Sequence, residues 1–273
     1  MVPYDSAVRQ IESGSAERVV TEADCAAREA ALAQVAAELR RANQDLEQFA
    51  YIAAHDLQEP LRLMTSFMEL FARRYGDVVD STGQQYLHYA LSGSRQMKAL
   101  INDLLEYSRI CNDLSSIAPV AMADVAHEVE TTLQAALVDC DGELRIEPLP
   151  VVVGRRRQLK QLVYNLVRNA LNYRAAERAP RIRLSATPVG THWQFAVEDN
   201  GRGIAPEYHE RVFMIFQRLT RDRAQPGTGM GLAICKKIVD THRGRIWIES
   251  SATGGTRVLF TLPKPETSVD RLR

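Results

Sequence analysis

The 273-residue sequence lacks most of the features that mark membrane, secreted and metal-binding proteins. No run of 18 apolar residues is present, so no stretch is suited to cross a membrane. Asp5, Glu12 and Glu17 fall where a signal peptide has an apolar segment. The four cysteines are far apart and form no Cys-x-x-Cys pair, which argues against a zinc ribbon or a disulfide framework. These absences predict a cytosolic protein with no direct membrane insertion.

The sequence also has no net charge, but the balance hides an asymmetry. Up to Glu143 there are 11 lysines and arginines against 23 aspartates and glutamates, and beyond it the numbers are 23 and 11. This division predicts two domains, the second suited to an anionic ligand such as nucleotide phosphate. Nucleic acid is disfavoured as a partner, because the basic residues are scattered and accompany no RNA-binding motif or recognition helix.

Apolar residues recur at alternating intervals of three and four between residues 32 and 53, which predicts a helix with a narrow heptad seam. One helix cannot bury such a stripe on itself, so we expect a partner helix, most simply the same helix of a second chain. Packing within the chain is the alternative. The register is interrupted at Arg28, and we place a flexible segment at 1–24 and a signalling coiled coil at 25–54. The seam consists of Leu32, Val35, Leu39, Ala42, Leu46, Phe49 and Ala53.

A second helical arm is predicted after a turn. Residues 75–83 are rich in glycine, aspartate and serine, and a further apolar stripe runs from Tyr86 to Tyr107. The intervals lengthen to four near residue 55, which makes a stutter in the seam, and Pro60 should kink the first arm. We therefore expect a helical hairpin over residues 45–115, two copies of which would form a four-helix bundle.

One histidine has an unusual setting. His55 lies two residues beyond the seam position Ala53, so it should be exposed, and Asp56 follows it. A neighbouring carboxylate can hold the imidazole proton and leave the other ring nitrogen as a nucleophile. An exposed histidine without a function is the alternative, but the stutter and Pro60 beside it favour a functional one. No comparable setting surrounds His88, His127, His192, His209 or His242.

The second half alternates strand and helix patterns over residues 119–265, followed by a tail at 266–273. This alternation predicts an α+β sandwich in which helices cover one face of a sheet. The predicted strands begin at Arg181, Gln194, Arg245 and Arg257, and the predicted helices cover residues 125–137, 155–172 and 231–241.

Three segments of this half suit a nucleotide. Gln161, Asn165, Asn169 and Tyr173 share one helix face by their spacing of four. The segment 198–204 places a carboxylate and two glycines directly after a strand, which suits an exocyclic amine such as that of adenine. The segment 227–234 opens a helix, where its amides can meet phosphates. Each alone is as readily a solvated stripe, a turn or a helix cap, and the last matches neither GxGxxG nor the Walker loop.

Together these segments carry a resemblance to a known family. His55 to Arg62, HDLQEPLR, resembles the H-box of sensor histidine kinases in its phytochrome-like form, and the three later segments resemble the N, G1 and G2 boxes. Residues 213–219 resemble the F-box. The resemblance covers about residues 40–262 and implies an all-α coiled coil and hairpin followed by a Bergerat-type ATP-binding α+β sandwich. Glu59 replaces the Thr or Asn that is associated with phosphatase activity, so the resemblance gives that second activity no support.

The resemblance also implies roles for single residues. The protein would bind ATP and Mg²⁺ as a homodimer, phosphorylate its own His55 with the help of Asp56, and pass the phosphoryl group to the receiver domain of a response regulator. Asn169, supported by Asn165, would coordinate Mg²⁺, and Arg174 would replace a basic residue missing at Asn172. The other nucleotide-binding candidates are Tyr173, Asp199, Gly201, Gly203, Ile204, Arg218, Gly227, Thr228, Gly229, Met230, Gly231 and Leu232.

Two other functions fit the same residues. A catalytically silent, ATP-binding dimeric scaffold is compatible with Asn172, and an ATPase of the gyrase or chaperone type is compatible with the nucleotide motifs alone. The heptads and the H-box disfavour the ATPase. Residues 1–24 are too few for a sensor domain, so we expect the sensor input to lie outside this sequence or on another protein.

Overall fold

The computed structural model describes residues 5–111, 115–218, 227–251 and 254–265. Side chains are described from residue 27 onward within these ranges, except at 40, 43, 44, 46, 47, 49 and 111. The predicted tail at 266–273 lies outside the described residues. The chain divides into two compact units, residues 1–52 and 53–273. Within the described ranges, no helix combines the length and the apolar character needed to cross a membrane.

The first unit is helical. Helix α1 (Asp5–Tyr75) begins about twenty residues before the start near residue 25 that the heptad pattern predicts. No proline interrupts the sequence between residues 4 and 59, so the backbone can stay helical where the apolar seam is broken. Three seam residues, Leu32, Val35 and Leu39, are 62–70% exposed, and nothing in the described part of this unit covers them. The side chains of Leu46 and Phe49 lie outside the described residues.

The second unit opens with the hairpin. Helix α1 ends at Tyr75 and helix α2 (Ser81–Cys111) follows, so the turn lies where the sequence predicts it. Asp80 caps α2 by accepting the Gly83 amide at 2.8 Å, and the Gln84 side chain donates to the Gly76 carbonyl at 2.9 Å. The hairpin buries few side chains within the chain, and many apolar ones stay exposed on its two helices, among them Leu57, Met64, Phe67, Phe71, Tyr86 and Met97.

In the described part of the chain beyond the hairpin, seven strands form two sheets. Strands β1 (Ala118–Ala121) and β3 (Val151–Gly154) pair antiparallel. The larger sheet has the order β2-β4-β5-β7-β6, in which β2 runs parallel to β4 and every other pair is antiparallel. Its strands are β2 (Glu143–Ile146), β4 (Arg181–Val189), β5 (His192–Asp199), β6 (Ile246–Ser250) and β7 (Thr256–Pro263).

Three helices cover one face of the larger sheet, α3 (Met122–Val138), α4 (Arg156–Asn172) and α5 (Gly231–Thr241). Between the sheet and these helices lies one apolar core, in which the Phe195 and Phe260 rings stack at 4.9 Å. On the opposite face the strands carry charged side chains, such as Arg183, which pairs with Glu198 at 2.6 Å. The fold class is therefore confirmed: a helical segment followed by an α+β sandwich.

Helix α2 is joined to this sandwich by its last turns. Ile110 is 4% exposed and belongs to the sandwich core, and its carbonyl accepts a hydrogen bond from the Gln158 side chain at 3.1 Å. The Lys237 ammonium of α5 lies 5.6 Å from the centre of the Tyr107 ring. These contacts fix the end of the hairpin against α4 and α5.

The end of α5 is fixed by His242, which is 7% exposed. Its Nδ1 lies 2.8 Å from the Ile238 carbonyl, which can only accept, and its Nε2 lies 3.0 Å from the Arg155 amide, which can only donate. The ring is therefore neutral, with its proton on Nδ1. Burial, with a smaller effect from the charge of Arg155, lowers the pKa of His242 below its ordinary 6.5.

This linkage predicts a pH-dependent stability. Below about pH 6.5 the unfolded chain binds a proton at His242 that the folded chain resists, so the free energy of unfolding should fall by up to about 1.4 kcal/mol per pH unit until the lowered pKa is reached. Urea unfolding at pH 7.5 and 5.5 measures the effect. The His242→Gln variant keeps a donor and an acceptor but does not titrate, so its loss between the two pH values should be smaller; equal losses would refute the assignment.

Candidate functional site

His55 stands on the outer surface of α1. Its side chain is 68% exposed, and that of Asp56 is 74% exposed. The His55 Nδ1 atom lies 3.3 Å from the Asp56 Oδ1 atom. A carboxylate at this nitrogen favours the tautomer in which Nδ1 carries the proton, which leaves a lone pair on Nε2. The arrangement gives an accessible ring nitrogen that can attack an electrophile.

A cleft of about 460 Å³ lies in the α+β sandwich, a volume typical of small-molecule sites. Its walls come from α4, the end of β5, the glycine-rich segment before α5, and α2. Eleven residues predicted for a nucleotide site line it: Asn169, Tyr173, Asp199, Gly203, Ile204, Arg218, Gly227, Thr228, Gly229, Gly231 and Leu232.

Asp199 lies where β5 ends and its carboxylate is fixed by the backbone. The Oδ1 atom accepts the Gly201 amide at 2.7 Å and the Thr256 amide at 3.1 Å. Burial raises the pKa of Asp199, and the two amides act in the opposite direction. A side chain at Gly201 would come within 2.7 Å of the Tyr173 carbonyl, so the backbone can make this approach only with glycine here. The Asp199 carboxylate is therefore a hydrogen-bond acceptor in a fixed orientation in the cleft wall.

The polar face of α4 separates into a supporting amide and an amide in the cleft. Asn165 is 1% exposed; its oxygen accepts from Gln161 at 3.0 Å and its nitrogen donates to the Gly231 carbonyl at 3.4 Å. Asn169, one turn further along α4, lines the cleft, and its side-chain amide makes no hydrogen bond to the described residues. Asn165 therefore positions the helix against the glycine-rich segment, and Asn169 presents an oxygen to a ligand.

The glycine-rich segment bends sharply before α5. Gly229 has a φ of +76°, and a Cβ at this position would lie 2.7 Å from the Gln217 carbonyl. The Thr228 hydroxyl accepts the Met230 amide at 3.3 Å, which turns the chain into the helix. The backbone amides at the start of α5 consequently face the region where anions are favoured.

Four of the residues predicted for the nucleotide site do not line the cleft. Gly201 and Asn165 support Asp199 and α4 as described above. Met230 is fully buried in the apolar core. The Arg174 guanidinium donates to the Leu171 carbonyl at 3.0 Å, so it caps the end of α4 instead of replacing the basic residue missing at Asn172.

Several residues of the cleft wall are not predicted from the sequence. Arg168 lies four residues before Asn172 on α4, and both line the cleft. Its guanidinium packs 5.3 Å from the centre of the Tyr164 ring, and its Nε atom is buried without a hydrogen-bond partner among the described residues. The spacing of four was a usable signal for Arg168. No local signal marks Ala99 and Asp103 of α2, Val212 or Thr256, which also line the cleft.

Comparison with known families agrees with both halves of the chain. Residues 45–112 match the His Kinase A (phospho-acceptor) domain. Residues 154–266 match the family described as histidine kinase-, DNA gyrase B-, and HSP90-like ATPase. His55 falls in the first match, and all of the cleft except its α2 wall falls in the second.

Individual relatives point the same way. The chain is 41% identical over 233 residues to cyanobacterial phytochrome A of Nostoc sp. and 38% identical over 233 residues to phytochrome-like protein Cph1 of Synechocystis sp.. Each alignment covers 85% of this chain but only 30% and 31% of those proteins, so the chain spans less than a third of their length. Full-length ShkA, solved in complex with AMPPNP, shares the fold: its TM-score is 0.61 at 22% identity, over 79% of this chain and 45% of that chain.

Proposed function

Because this chain belongs to the sensor histidine kinases, we propose that it is an ATP-dependent protein-histidine kinase that phosphorylates its own His55 and then passes the phosphoryl group to an aspartate of a response regulator. The observation that carries the proposal is the exposed His55 ring with a carboxylate at its Nδ1. Incubation with ATP labelled at the γ-phosphate and Mg²⁺ should give a phosphoryl group that is labile in acid and stable in base. A chain that binds ATP but acquires no such label would refute the proposal.

The chemistry at His55 follows from its position. Asp56 holds the proton on Nδ1 and leaves the lone pair on Nε2, so Nε2 attacks the γ-phosphorus in line with the departing β-phosphate oxygen. Asp56 also offsets the positive charge that grows on the ring as the N–P bond forms. Because the ring is exposed, it can be presented to a nucleotide and afterwards to the receiver domain.

The cleft suits Mg·ATP. Asp199 would accept the adenine amino group, Tyr173 would pack against the base, and the amides of the glycine-rich segment would hold the phosphates. Mg²⁺ held by Asn169 would supply positive charge that offsets the charge of the phosphates. Asn169 is the residue that fits Mg²⁺, because its side-chain amide makes no hydrogen bond to the described residues. Among the residues described, no group of three or more His, Cys, Asp or Glu side chains is placed to hold a metal ion.

Two arginines can be distinguished by mutation. We expect Arg168→Gln to weaken binding of an ATP analogue by about 10-fold, because a guanidinium in the cleft wall would lose its contact with the phosphates. Arg174→Gln removes the same charge from a side chain that caps α4, and it should change the affinity by less than about 2-fold. Isothermal titration of both variants makes the comparison. A larger loss in Arg174→Gln than in Arg168→Gln would restore Arg174 as the phosphate contact.

We also propose that the protein works as a homodimer. Leu32, Val35 and Leu39 form an exposed heptad stripe on α1, and further apolar side chains are exposed on the hairpin. Burial of such stripes against a second copy would produce a coiled coil and a four-helix bundle. Domain limits of 25–54, 45–115 and 119–265 for the coiled coil, the hairpin and the catalytic domain remain our proposal.

A silent ATP-binding scaffold is the second candidate function. It is favoured by one observation, the amide of Asn172 in the cleft wall at a position where many family members have a basic residue. Binding of ATP with no label on His55, in a chain shown to be dimeric, would favour it over the kinase.

A further inference from the structure

Helix α2 contributes to the cleft although it carries none of the nucleotide motifs. Asp103 lies in the cleft wall. One turn and two turns further along, Tyr107 and Ile110 are held by Lys237 and Gln158 of the sandwich. Asp103 is therefore presented by a helix whose end is fixed, and its place in the wall follows from the docking of α2.

Asp103 is bonded to the glycine-rich segment. The Thr228 hydroxyl donates to the Asp103 Oδ2 atom across 125 residues of sequence. The oxygen of the same hydroxyl accepts the amide of Met230, next to the start of α5. Thr228 stands between Gly227 and Gly229, so one hydrogen bond joins the hairpin to the segment that would carry the nucleotide phosphates.

The charge of Asp103 is unfavourable for those phosphates. Among the described residues that line the cleft there are two carboxylates: Asp199 is placed for the base, whereas Asp103 lies at the glycine-rich segment. Like charges repel each other, and more strongly where water is partly excluded. The repulsion is greater for three phosphates than for two, since a nucleoside triphosphate carries more negative charge. The arginines that line the same cleft, Arg168, Arg202 and Arg218, act in the opposite direction.

We propose that Asp103 is a latch on the glycine-rich segment: it holds Thr228 against α2, and its charge opposes bound phosphates, so that nucleotide binding and the docking of α2 weaken each other. The effect is reciprocal by linkage: the factor by which docking of α2 lowers nucleotide affinity equals the factor by which bound nucleotide weakens the docking. The proposal rests on nucleotide binding in the cleft, which is part of the proposed function. It adds a residue outside the nucleotide motifs that discriminates triphosphate from diphosphate.

The binding test uses the full chain with a non-hydrolysable ATP analogue and with ADP. Asp103→Asn removes the charge but keeps an oxygen that can accept from Thr228, and we expect the affinity for the analogue to rise by about 5-fold and that for ADP to rise less. Asp77→Asn is the matched control, because it removes the same charge from the exposed turn, about 30 Å away along α2 by the helix rise. Its affinities should equal those of the parent chain.

Weaker binding of the analogue in Asp103→Asn would overturn the proposal, since it would mean that Asp103 assists the phosphates, for example by holding Mg²⁺. An equal gain for both nucleotides, or the same gain in Asp77→Asn, would also overturn it.

The latch itself is tested by amide hydrogen exchange without added nucleotide. Asp103→Ala should speed exchange at Met230 and in the last turns of α2 by about 5-fold or more, because both sides lose a constraint. Thr228→Val should speed exchange in the last turns of α2 by a similar factor, and the double variant should show no further increase there, since both changes remove the bond between Thr228 and Asp103. Met230 is left out of this comparison, because Thr228→Val also removes the acceptor of its amide. Unchanged or additive rates would overturn the latch.

The two arms separate this proposal from the proposed function. Exchange rates require neither nucleotide nor phosphorylation, so they decide the latch even in a chain that fails to bind ATP. Failure of the parent chain to bind either nucleotide would refute the proposed function. Normal binding and labelling with unchanged exchange in Asp103→Ala would refute the latch alone.

Discussion

The His55→Gln variant is expected to acquire no phosphoryl group from labelled ATP while it binds the nucleotide as tightly as the parent chain. Glutamine keeps a polar side chain of similar length on the exposed face of α1, so the helix should be undisturbed. It has no ring nitrogen with a free lone pair, so the N–P bond cannot form. Acid-labile label after a fixed incubation, together with the dissociation constant of an ATP analogue, measures both halves of the expectation.

His88→Gln is the matched control for this experiment. His88 is also exposed and lies on the other helix of the hairpin, but no carboxylate among the described residues is bonded to its ring. The control should be labelled as fast as the parent chain. Full labelling of His55→Gln, or loss of label in His88→Gln instead, would show that the phosphoacceptor has been assigned to the wrong histidine.

The Asp199→Asn variant is expected to lose ATP affinity by about 100-fold or more and to gain preference for inosine triphosphate. Two backbone amides converge on Oδ1 of Asp199, so the amide oxygen of asparagine should take that place and direct its NH₂ group outward. A donor would then face the adenine amino group, which is also a donor, whereas the hypoxanthine ring of inosine presents a carbonyl oxygen. Sites built on such hydrogen bonds reject a mismatched partner strongly.

Titration of Asp199→Asn with ATP and with inosine triphosphate measures the change in preference. Glu198→Gln provides the control, because Glu198 is the adjacent residue on β5 but points to the opposite face, where Arg183 holds the pKa of Glu198 low. It should lose at most about 1 kcal/mol of stability and leave ATP affinity unchanged. Unaltered preference in Asp199→Asn would remove the base-recognition role from this residue.

Residues 198 and 199 also explain why much of the sandwich was predictable. Side chains alternate along a strand, so those of Glu198 and Asp199 point to opposite faces of the sheet. The face that carries the charged Glu198 is the one that no helix in the described part of the chain covers. Helix α5 begins at Gly231 and ends at Thr241 as predicted, because a glycine-rich segment precedes it and its apolar face is regular. The cleft residues on α4 follow from a spacing of four. These signals are local, and local patterns are what a single sequence displays.

The features that were missed depend on contacts between distant segments. Strands β1 and β3 have only four residues each, too short for a pattern, and pair across the intervening α3 and β2. Asp103 reaches the cleft only because the end of α2 docks on the sandwich, and nothing near it in the sequence indicates this. Arg174 could be placed just beyond the end of α4 but not oriented, since its bond to the Leu171 carbonyl competes with the cleft for the same guanidinium.

Two consecutive residues of α2, Asn102 and Asp103, face in different directions. Through them the helix is bonded both to α1 near His55 and to the glycine-rich segment. The Gln58 side chain, three residues after His55 on α1, donates to the Asn102 oxygen at 3.0 Å, while Asp103 holds the glycine-rich segment. Neighbouring residues of a helix are about 100° apart around its axis, so a small turn of α2 about that axis displaces both bonds in the same event. A rotation of α2 would therefore change the surroundings of His55 and the mouth of the cleft together.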